Sequence, residues 1–206
     1  MHLKRKAIPK TWPVPRKGTK YIVRGMEKGI PILIAVRDML KLAQDRKEVK
    51  KILNSKIAYI NSRLINDEKA ALKLFDVLKL KDKTYRLTIK NRRYSLEEIS
   101  ARDAGAKIAK IISQKMQKGN KVQVNLDDGI NYVSKGKCKI GDSVIIDFKE
   151  GIKKCIPLRE KSKVFVKKGK HIGKAGIIEK LTGSLAEIKT DSEKINVNLE
   201  SLIALE

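Results

Sequence analysis

The stretch from Pro31 to Ile65 constrains the fold of this 206-residue chain more than any other segment. Between Leu33 and Ala43 the apolar residues recur at the spacing of one helix face, which predicts a short amphipathic first helix. Its outward-facing residues are Arg37, Asp38, Lys41 and Gln44. We therefore expect these polar residues to face solvent or a partner.

A second helix is predicted to begin directly after the first. Asp45 followed by Glu48 has the spacing of a capping box, in which the first side chain accepts hydrogen bonds from the N–H groups at the helix start. The apolar side of this helix comprises Val49, Ile52 and Leu53, and the basic side comprises Arg46, Lys47, Lys50 and Lys51. Because a helix start also favours negative charge, the basic side suits the phosphates of a nucleic acid. The alternative is a solvated helix face, which is common for a run of lysines.

A sheet is predicted to follow the two helices. Asn61-Ser62 separates the short runs Ile57–Ile60 and Leu64–Ile65, and a two-residue connection of this kind closes a tight β-hairpin, whose turn type stays open. Two further alternating runs, Leu72–Leu80 and Thr84–Ile89, predict strands that complete the same sheet.

Charge narrows the class of partner. The chain has 48 Lys and Arg against 23 Asp and Glu, a formal net charge of +25, which repels itself in the folded state unless a polyanion neutralises it. We find no apolar run long enough to cross a bilayer and no signal-peptide pattern, so a cytoplasmic nucleic-acid partner is favoured over a membrane. Only 4% of the residues are aromatic, so contacts with phosphates and with the shape of an RNA should outweigh base stacking.

Metal, cofactor and catalytic sites are not expected. Cys138 and Cys155 lack the spacing of metal ligands and are expected to be separate, reduced thiols. Asp127 and Asp128 precede Gly129 in a turn, where Asp is common for turn geometry alone. The sequence shows no nucleophile with its base, no phosphate-binding loop and no paired carboxylates in an apolar run, so no small-molecule substrate is implied.

Residues 1–30 are predicted to form a basic arm rather than a domain. Pro9, Pro13 and Pro15 disfavour regular strands, and there is little apolar periodicity before Tyr21. We expect residues 1 to about 20 to be disordered in the free protein and to become ordered on RNA. Trp12 either stacks on a base or packs the arm against the next domain. The arm residues expected at the RNA are Lys4, Arg5, Lys6, Lys10, Trp12, Arg16, Lys17 and Lys20.

Residues 95–160 are predicted to form a small β-barrel. Ser100 and Asp103 repeat the capping pattern for one short helix, and Lys107–Met116 is expected to be a long strand because it is rich in β-branched residues. Turn residues then separate short Val- and Ile-rich runs, and Pro157 should end the unit. The predicted turns are Gly119-Asn120, Asp127-Asp128-Gly129, Gly141-Asp142 and Glu150-Gly151. The predicted strands are Val122–Leu126, Ile130–Val133, Val144–Phe148 and Ile152–Ile156.

The last segment, residues 161–206, contains a glycine-punctuated basic loop within Val164–Leu181. The glycines are Gly169, Gly173 and Gly176. This run resembles the KOW motif of ribosomal proteins and transcription elongation factors. The resemblance implies a five-stranded SH3-like barrel with further strands at Leu185–Lys189, at Ile195–Val197 and in the last apolar residues. It also implies contact with RNA or protein through Lys167, Lys168, Lys170, His171 and Lys174.

The stretch that opens this description carries a resemblance of its own. Its runs VRDML, DRKEVKKIL and IAYINSRLI are similar to the RNA-binding module shared by bacterial ribosomal protein S-four, some pseudouridine synthases and tyrosyl-tRNA synthetases. In that family the two helices meet the RNA. The positions that match are Arg37, Arg46, Lys47, Lys50, Lys51 and Arg63.

The whole chain resembles the archaeal and eukaryotic small-subunit ribosomal protein S-four-e family, and the middle run VQVNLDDGINYV is the most specific part of the match. The resemblance implies an α+β, mostly β chain. Its parts would be the arm (1–30), an S-four-like module of helices and sheet (31–94, ending near Tyr94), a central β-barrel (95–160) and an SH3-like KOW barrel (161–206). The Ser62 turn, a trimmed loop before the last strands and the lack of a basic extension after Leu205 depart from the family pattern and leave peripheral contacts open.

The function implied by this resemblance is structural. Such a protein would bind ribosomal RNA in the small subunit, in the cytoplasm and beside neighbouring ribosomal proteins, and would support assembly and translation without chemistry of its own. Two other functions share parts of the pattern. The helical module also occurs in RNA-modifying enzymes, where a separate domain is catalytic, and the KOW motif also occurs in transcription elongation factors.

Overall fold

The computed structural model describes residues 2–24, 29–118, 121–134, 138–190 and 193–206. The chain divides into two compact units, Met1–Gly105 and Ala106–Glu206. Strands dominate both units and the helices are few and short, so the fold is mostly β with several sheets, as expected. Within the described ranges, the longest helix has nine residues, and no helix combines the length and apolar character needed to span a membrane.

The first unit is built on one five-stranded antiparallel sheet. The strands of the unit are β1 (His2–Lys4), β2 (Tyr21–Arg24), β3 (Ile30–Pro31), β4 (Ala58–Ile60), β5 (Arg63–Leu64), β6 (Ala71–Leu72), β7 (Val77–Leu80), β8 (Lys83–Lys90) and β9 (Arg93–Glu98). Its helices are α1 (Ile32–Ile34), which continues as a π-helical turn (Ala35–Met39), and α2 (Arg46–Asn54). The order of the main sheet is β5-β4-β7-β8-β9, and β1-β2 and β3-β6 form two small antiparallel pairs.

The arm packs into this unit. β1 pairs with β2, and the side chains of Leu3, Ile8 and Trp12 lie in the same core as the residues of α1. The Tyr94 N–H on β9 donates to the Thr11 carbonyl O at 2.8 Å. The expectation of a disordered arm is therefore wrong for its described residues. The apolar side chains spaced along this basic segment are buried in the core, which a count of its charges does not reveal. Trp12 is 8% exposed, which favours its packing role over stacking on a base.

The first helix is shorter than predicted, and its first part is buried on all sides. It ends at Met39 as a π-helical turn, and Lys41, predicted to lie on its outer face, has a positive φ of 55° beyond its end. Every residue from Ile32 to Val36 is buried, whereas Arg37 and Asp38 are half-buried. The amphipathic prediction is therefore wrong: this helix lies in the interior, where apolar residues are favoured on every side.

The predicted hairpin is present. Asn61 and Ser62 have φ values of 48° and 66°, as a type I′ turn requires, and β4 pairs with β5 on either side. The Asn61 Oδ1 accepts from the Val77 N–H at 2.9 Å, and its Nδ2 donates to Asp76 Oδ1 at 2.8 Å. The Asn61 side chain thus anchors the turn to β7.

The strand predicted over Leu72–Leu80 is interrupted. Phe75 has a φ of 64°, in the left-handed region, so only β6 and β7 are extended. The Asp76 carboxylate, which is buried, accepts from the Lys73 N–H at 2.9 Å and closes the intervening turn. The alternating pattern did not reveal this turn because Phe75 and Asp76 are both buried like strand residues.

The first unit ends at Gly105, past Tyr94. β9 continues to Glu98, and a 3-10 turn, Asp103–Gly105, follows it. Ser100 Oγ donates to Asp103 Oδ2 at 2.8 Å, and Arg86 Nη2 on β8 donates to the Asp103 carbonyl O at 2.7 Å. These contacts fasten the segment after β9 to the first sheet.

The second unit contains two five-stranded antiparallel sheets among its described residues. The central sheet comprises β10 (Ala106–Gln117), β11 (Lys121–Leu126), β12 (Asn131–Ser134), β13 (Ser143–Asp147) and β14 (Gly151–Ile156). The terminal sheet comprises β15 (Lys163–Val166), β16 (Ala175–Thr182), β17 (Leu185–Lys189), β18 (Lys194–Asn198) and β19 (Leu202–Ala204), with a 3-10 turn (Leu199–Ser201) before β19. These positions agree with the predicted strands to within one or two residues; the predicted turn at Gly119-Asn120 lies outside the described residues.

The central sheet has the order β12-β11-β10-β13-β14. The first half of β10 pairs with β13 and the second half pairs with β11, and a register shift between Ile111 and Ser113 marks a bulge that bends the strand between them. A Cβ added to Gly151 on β14 would lie 3.7 Å from Cδ1 of Tyr132 on β12, so the two edge strands approach each other. The sheet thus wraps its core as a small barrel requires.

The terminal sheet has the order β18-β17-β16-β15-β19. In the loop between β15 and β16, Gly169 and Gly173 have φ values of 92° and 88°. Gly176, in β16, is required for a different reason: a Cβ there would lie 2.5 Å from the Lys189 carbonyl O and 2.7 Å from Ile188 Cγ2 on β17.

Cys138 and Cys155 are joined in a disulfide, with their Cα atoms 5.9 Å apart. This contradicts the expectation of two separate, reduced thiols. Cys138 lies in the core of the central sheet and the partly buried Cys155 packs against it, which brings the two together although the sequence separates them by 17 positions. The spacing of the two cysteines in the sequence therefore does not predict this pairing, which depends on the fold.

Candidate nucleic-acid interface

The exposed side of α2 is the most regular basic surface of the first unit. Val49 and Leu53 are buried, which turns Lys47, Lys50 and Lys51 to the opposite, exposed side of the helix. The helix start differs from the predicted capping box. Asp45 makes no side-chain capping hydrogen bond, and Glu48 Oε2 instead accepts from the Gln44 N–H at 2.7 Å.

Arg46 has a structural partner. Its Nε donates to Glu68 Oε1 at 2.7 Å, and Nη2 contacts the same oxygen. Glu68 is 5% exposed, whereas the Arg46 side chain is 56% exposed, and this hydrogen bond together with the negative charge raises the pKa of Arg46. Arg46 thus clamps the first turn of α2 to the segment before β6 and neutralises a buried carboxylate.

The arm and the π-helical turn share a cleft of about 280 Å³. Arg5, Lys17 and Tyr21 line it from the arm, and Arg37 and Asp38 line it from the turn. The fold therefore brings together basic residues that the sequence places in two separate segments.

The guanidinium groups of the arm and of the π-helical turn are largely engaged within the protein. Arg37 Nη2 pairs with Asp38 Oδ2 at 2.8 Å. Arg5 donates to the carbonyl oxygens of Pro15 and Thr19 at 2.7 Å each, and Arg16 Nη1 donates to the Lys6 carbonyl O at 3.1 Å. These arginines shape the arm. The exposed lysines that they leave around it are Lys4, Lys6, Lys10, Lys17 and Lys20, and Arg63 is exposed beside the hairpin turn.

The predicted basic residues of the terminal loop divide into three groups, of which the third is Lys167 alone. Lys168 and Lys170 are exposed. Lys174 pairs with Glu193, and the Nδ1 atom of His171 lies 3.9 Å from the same carboxylate. Two of the residues predicted to contact RNA, Lys174 and His171, thus lie against Glu193 of the same unit.

Lys167 belongs to a buried polar network that sequence reasoning missed. Its side chain is 9% exposed, and its Nζ pairs with Asp127 Oδ2 at 2.6 Å. Asp127 Oδ1 accepts from the Lys110 N–H at 3.1 Å, and the Lys110 Nζ donates to the carbonyl O of Leu202 at 2.8 Å and to that of Leu199. Burial, followed by the charge of Lys167, lowers the pKa of Lys110 to about 8.

A second buried pair lies beside this network. The side chains of Lys107 and Asp128 are 1% and 6% exposed and form an ion pair. Asp128 Oδ1 also accepts from the Ile130 N–H at 2.8 Å, which is the turn chemistry expected of Asp before Gly129. The signal for both networks was present in the sequence: Lys107 and Lys110 lie among the apolar residues of the first half of β10.

The fold and these surfaces define a strongly basic, mostly β protein of the kind that binds nucleic acid. A model of the Ribosomal family S4e matches residues 81–152. The small ribosomal subunit protein eS4 of Methanocella arvoryzae is 33% identical over 190 residues, covering 87% of this chain and 80% of that protein. The eS4 protein of Nanoarchaeum equitans is 32% identical over 207 residues, covering 95% and 86%.

This chain therefore belongs to the S4e family of ribosomal proteins, as its sequence predicted, and the family consists of structural proteins without enzymatic activity. The 30S ribosomal protein S4e from Thermoplasma acidophilum has a similar crystal structure, with a TM-score of 0.75, 21% identity, and coverage of 87% of this chain and 96% of that one. At this identity the likeness concerns the fold.

Proposed function

We propose that this chain is a structural constituent of the small ribosomal subunit that binds ribosomal RNA mainly through phosphates and fit to the RNA surface. Its relatives are named small ribosomal subunit proteins, and its net charge of +25 requires an anionic partner on the scale of an RNA. In this role the protein lies in cytoplasmic ribosomes beside neighbouring ribosomal proteins and supports subunit assembly and translation.

The observation that carries the RNA proposal is the exposed face of α2. Lys47, Lys50 and Lys51 project from a helix whose other side is fixed in the core, so their positions relative to an RNA backbone are set by the fold. We propose that the exposed arm lysines, Arg63 and the loop residues Lys168 and Lys170 add further phosphate contacts. The engaged residues, Arg5, Arg16, Arg37, Arg46, Lys167, His171 and Lys174, together with Trp12, act mainly by holding these surfaces in shape.

The division of the chain after the arm, which packs into the first unit, belongs to this proposal. The helices and main sheet of the first unit correspond to the S-four-like module, and the central and terminal sheets correspond to the central barrel and the KOW barrel. Separate core clusters under the two sheets of the second unit support that part of the division.

Replacing Lys50 and Lys51 by Ala tests the α2 face. If each lysine contacts a phosphate, the slope of log affinity against log salt should flatten by roughly 1.4 to 1.8, at about 0.7 to 0.9 per contact. The measurement is binding of the full chain to a transcript of small-subunit ribosomal RNA at several salt concentrations. Thermal melting should change little, because Val49 and Leu53 are retained.

The matched control replaces Lys83 and Lys90 by Ala. These lysines are also exposed but pair with Glu98 and Glu97 at 3.7 and 3.2 Å, so the same charge is removed from positions that already have carboxylate partners. Equal slopes for the two double variants would show that α2 contributes only general charge.

A further inference from the structure

The central sheet carries a hydrogen-bonded chain of neutral side chains across two strands. Gln117 Nε2 donates to Gln123 Oε1 at 2.7 Å, Gln123 Nε2 donates to Asn125 Oδ1 at 2.9 Å, and Asn125 Nδ2 donates to Ser113 Oγ at 2.8 Å. We name these four residues the amide ladder. Because each side chain is held by the next, the donors and acceptors of the ladder are ordered before any partner arrives.

The amide ladder lies on the face of the sheet that points away from the core. Gln123 and Asn125 alternate along β11 with Val124 and Leu126, which are buried. Residues that face each other across paired strands share a side of the sheet, so the register places β10, β11 and β12 residues together on this face. The outward positions are Ser113, Lys115, Gln117, Lys121, Gln123, Asn125, Asn131 and Val133.

This face combines neutral polar side chains with two lysines and one exposed apolar residue, Val133. Amides and a hydroxyl occupy five of the eight positions, exposed Lys115 lies between Ser113 and Gln117 and opposite Gln123, exposed Lys121 lies opposite Gln117, and none of the eight positions is acidic. Amide side chains offer donors and acceptors together, whereas lysine offers only donors and a charge. The amides therefore suit uncharged polar groups of a partner, and the two lysines suit phosphates close to those groups.

A double-helical RNA presents such groups on one of its grooves. The minor groove of an A-form helix is wide and shallow and displays 2′-hydroxyls and base edges between two lines of phosphates. Three adjacent strands at a spacing of about 4.8 Å give a face roughly 10 Å across, which can lie on a shallow groove but cannot enter a deep and narrow one.

We propose that the amide ladder is a second RNA contact surface, which hydrogen-bonds to 2′-hydroxyls and base edges in the minor groove of a ribosomal RNA helix. The inference rests on the proposed function and adds to it a mode of recognition that does not depend on charge. It also assigns a role to residues outside the basic arm, the helical module and the terminal loop.

The test uses the full chain with Gln123→Met and Asn125→Leu, which keep the side-chain size and remove the hydrogen-bonding groups. With a transcript of small-subunit ribosomal RNA, the dissociation constant should rise about five- to tenfold, since neutral hydrogen bonds are lost. The salt slope should stay unchanged, because no phosphate contact and no counterion is involved. By contrast, Lys115→Ala should flatten the slope by roughly 0.7 to 0.9.

Chemical acylation of the RNA identifies the contacted groups. The wild-type chain should protect a short set of helical 2′-hydroxyls that the double variant leaves reactive, while an Asn196→Leu control on the exposed side of β18 keeps the protection. Melting curves of the variants must match the wild type, so that loss of binding reports the contact. If the folded double variant binds and protects the RNA like the wild type, the inference is wrong and the proposed function stands.

Two further results separate the inference from the proposed function. A double variant that binds RNA normally but is lost from assembled subunits would assign the amide ladder to a neighbouring protein and overturn the RNA contact. A wild-type chain that shows no binding to small-subunit RNA would overturn the proposed function itself.

Discussion

Gly176 shows how a single residue can be required for packing and not for its backbone angle. In a glycine-rich loop the first expectation is a positive φ, which Gly169 and Gly173 have. At Gly176 the constraint is the backbone of the neighbouring strand, whose Lys189 carbonyl O occupies the space of a side chain. The reason for a glycine is therefore visible only once the strands are paired.

Gly176→Ala should destabilise the protein by about 2 kcal/mol or more, since an added Cβ must displace a paired strand. Gly105→Ala is the matched control, because no atom lies within 4 Å of a Cβ at that position, and its effect should stay within about 0.5 kcal/mol. Urea unfolding of the two variants measures the difference. Equal stabilities would show that β16 and β17 can separate at little cost.

At the scale of elements, the second unit was more predictable than the first. Asp-Gly, Gly-Asp and Glu-Gly pairs end the runs of the central sheet, and Gly129, Gly141 and Gly151 all have the positive φ that such turns use. The first unit has fewer such signals. Phe75 and Lys41 adopt positive φ although nothing in their side chains announces a turn.

The residues of the candidate site were likewise predicted only in part. Charge and helical spacing located the exposed lysines of α2, because solvent exposure follows directly from the pattern of buried residues. They could not show which cations have internal partners, since Glu68, Asp127 and Glu193 lie far along the chain from Arg46, Lys167 and Lys174.

The start of α2 provides a test at this scale. Glu48→Ala should lower the free energy of unfolding by about 1 kcal/mol, because its carboxylate holds the Gln44 N–H. Asp45→Ala should cost about 0.5 kcal/mol or less, since Asp45 makes no capping hydrogen bond. Urea unfolding followed by circular dichroism measures both. A larger loss of unfolding free energy for Asp45→Ala than for Glu48→Ala would support the capping box predicted from the sequence.

At the scale of the whole molecule, the arm belongs to the core of the first unit. Trp12→Ala should therefore destabilise that unit by about 3 to 5 kcal/mol, the usual cost of removing a buried aromatic side chain. Amide hydrogen exchange gives the local readout: in the wild type the Tyr94 N–H, bonded to Thr11, should be protected without RNA. Lys10→Ala, an exposed arm change, is the control. Rapid exchange of the Tyr94 N–H in the wild type would show that the arm is disordered in the free protein.

The Lys110 network makes the stability of the molecule depend on pH. An unfolded chain keeps the Lys110 proton up to its ordinary pKa of 10.5, whereas the folded chain releases it near 8. Between these values the unfolded chain binds more protons, so the free energy of unfolding should rise with pH, by at most about 1.4 kcal/mol per pH unit.

Denaturant unfolding between pH 7.5 and 10.5 checks this sign. Lys110→Met should remove the rise, and Lys115→Met, an exposed lysine of the same strand, should retain it. A wild-type stability that falls steadily over this range would mean that the carbonyl contacts of Lys110 outweigh its burial.

The same network also constrains when the second unit can fold during synthesis. The Lys110 Nζ finds one of its acceptors on Leu202, 92 residues later in the chain, and the Ala204 N–H donates to Ser143 Oγ at 2.8 Å. While the protein is being synthesised, β10 leaves the ribosome before the residues that accept hydrogen bonds from the Lys110 Nζ have been made. Contacts of such long range are slow to form, so the second unit should fold only after its final strand has left the ribosome that made it.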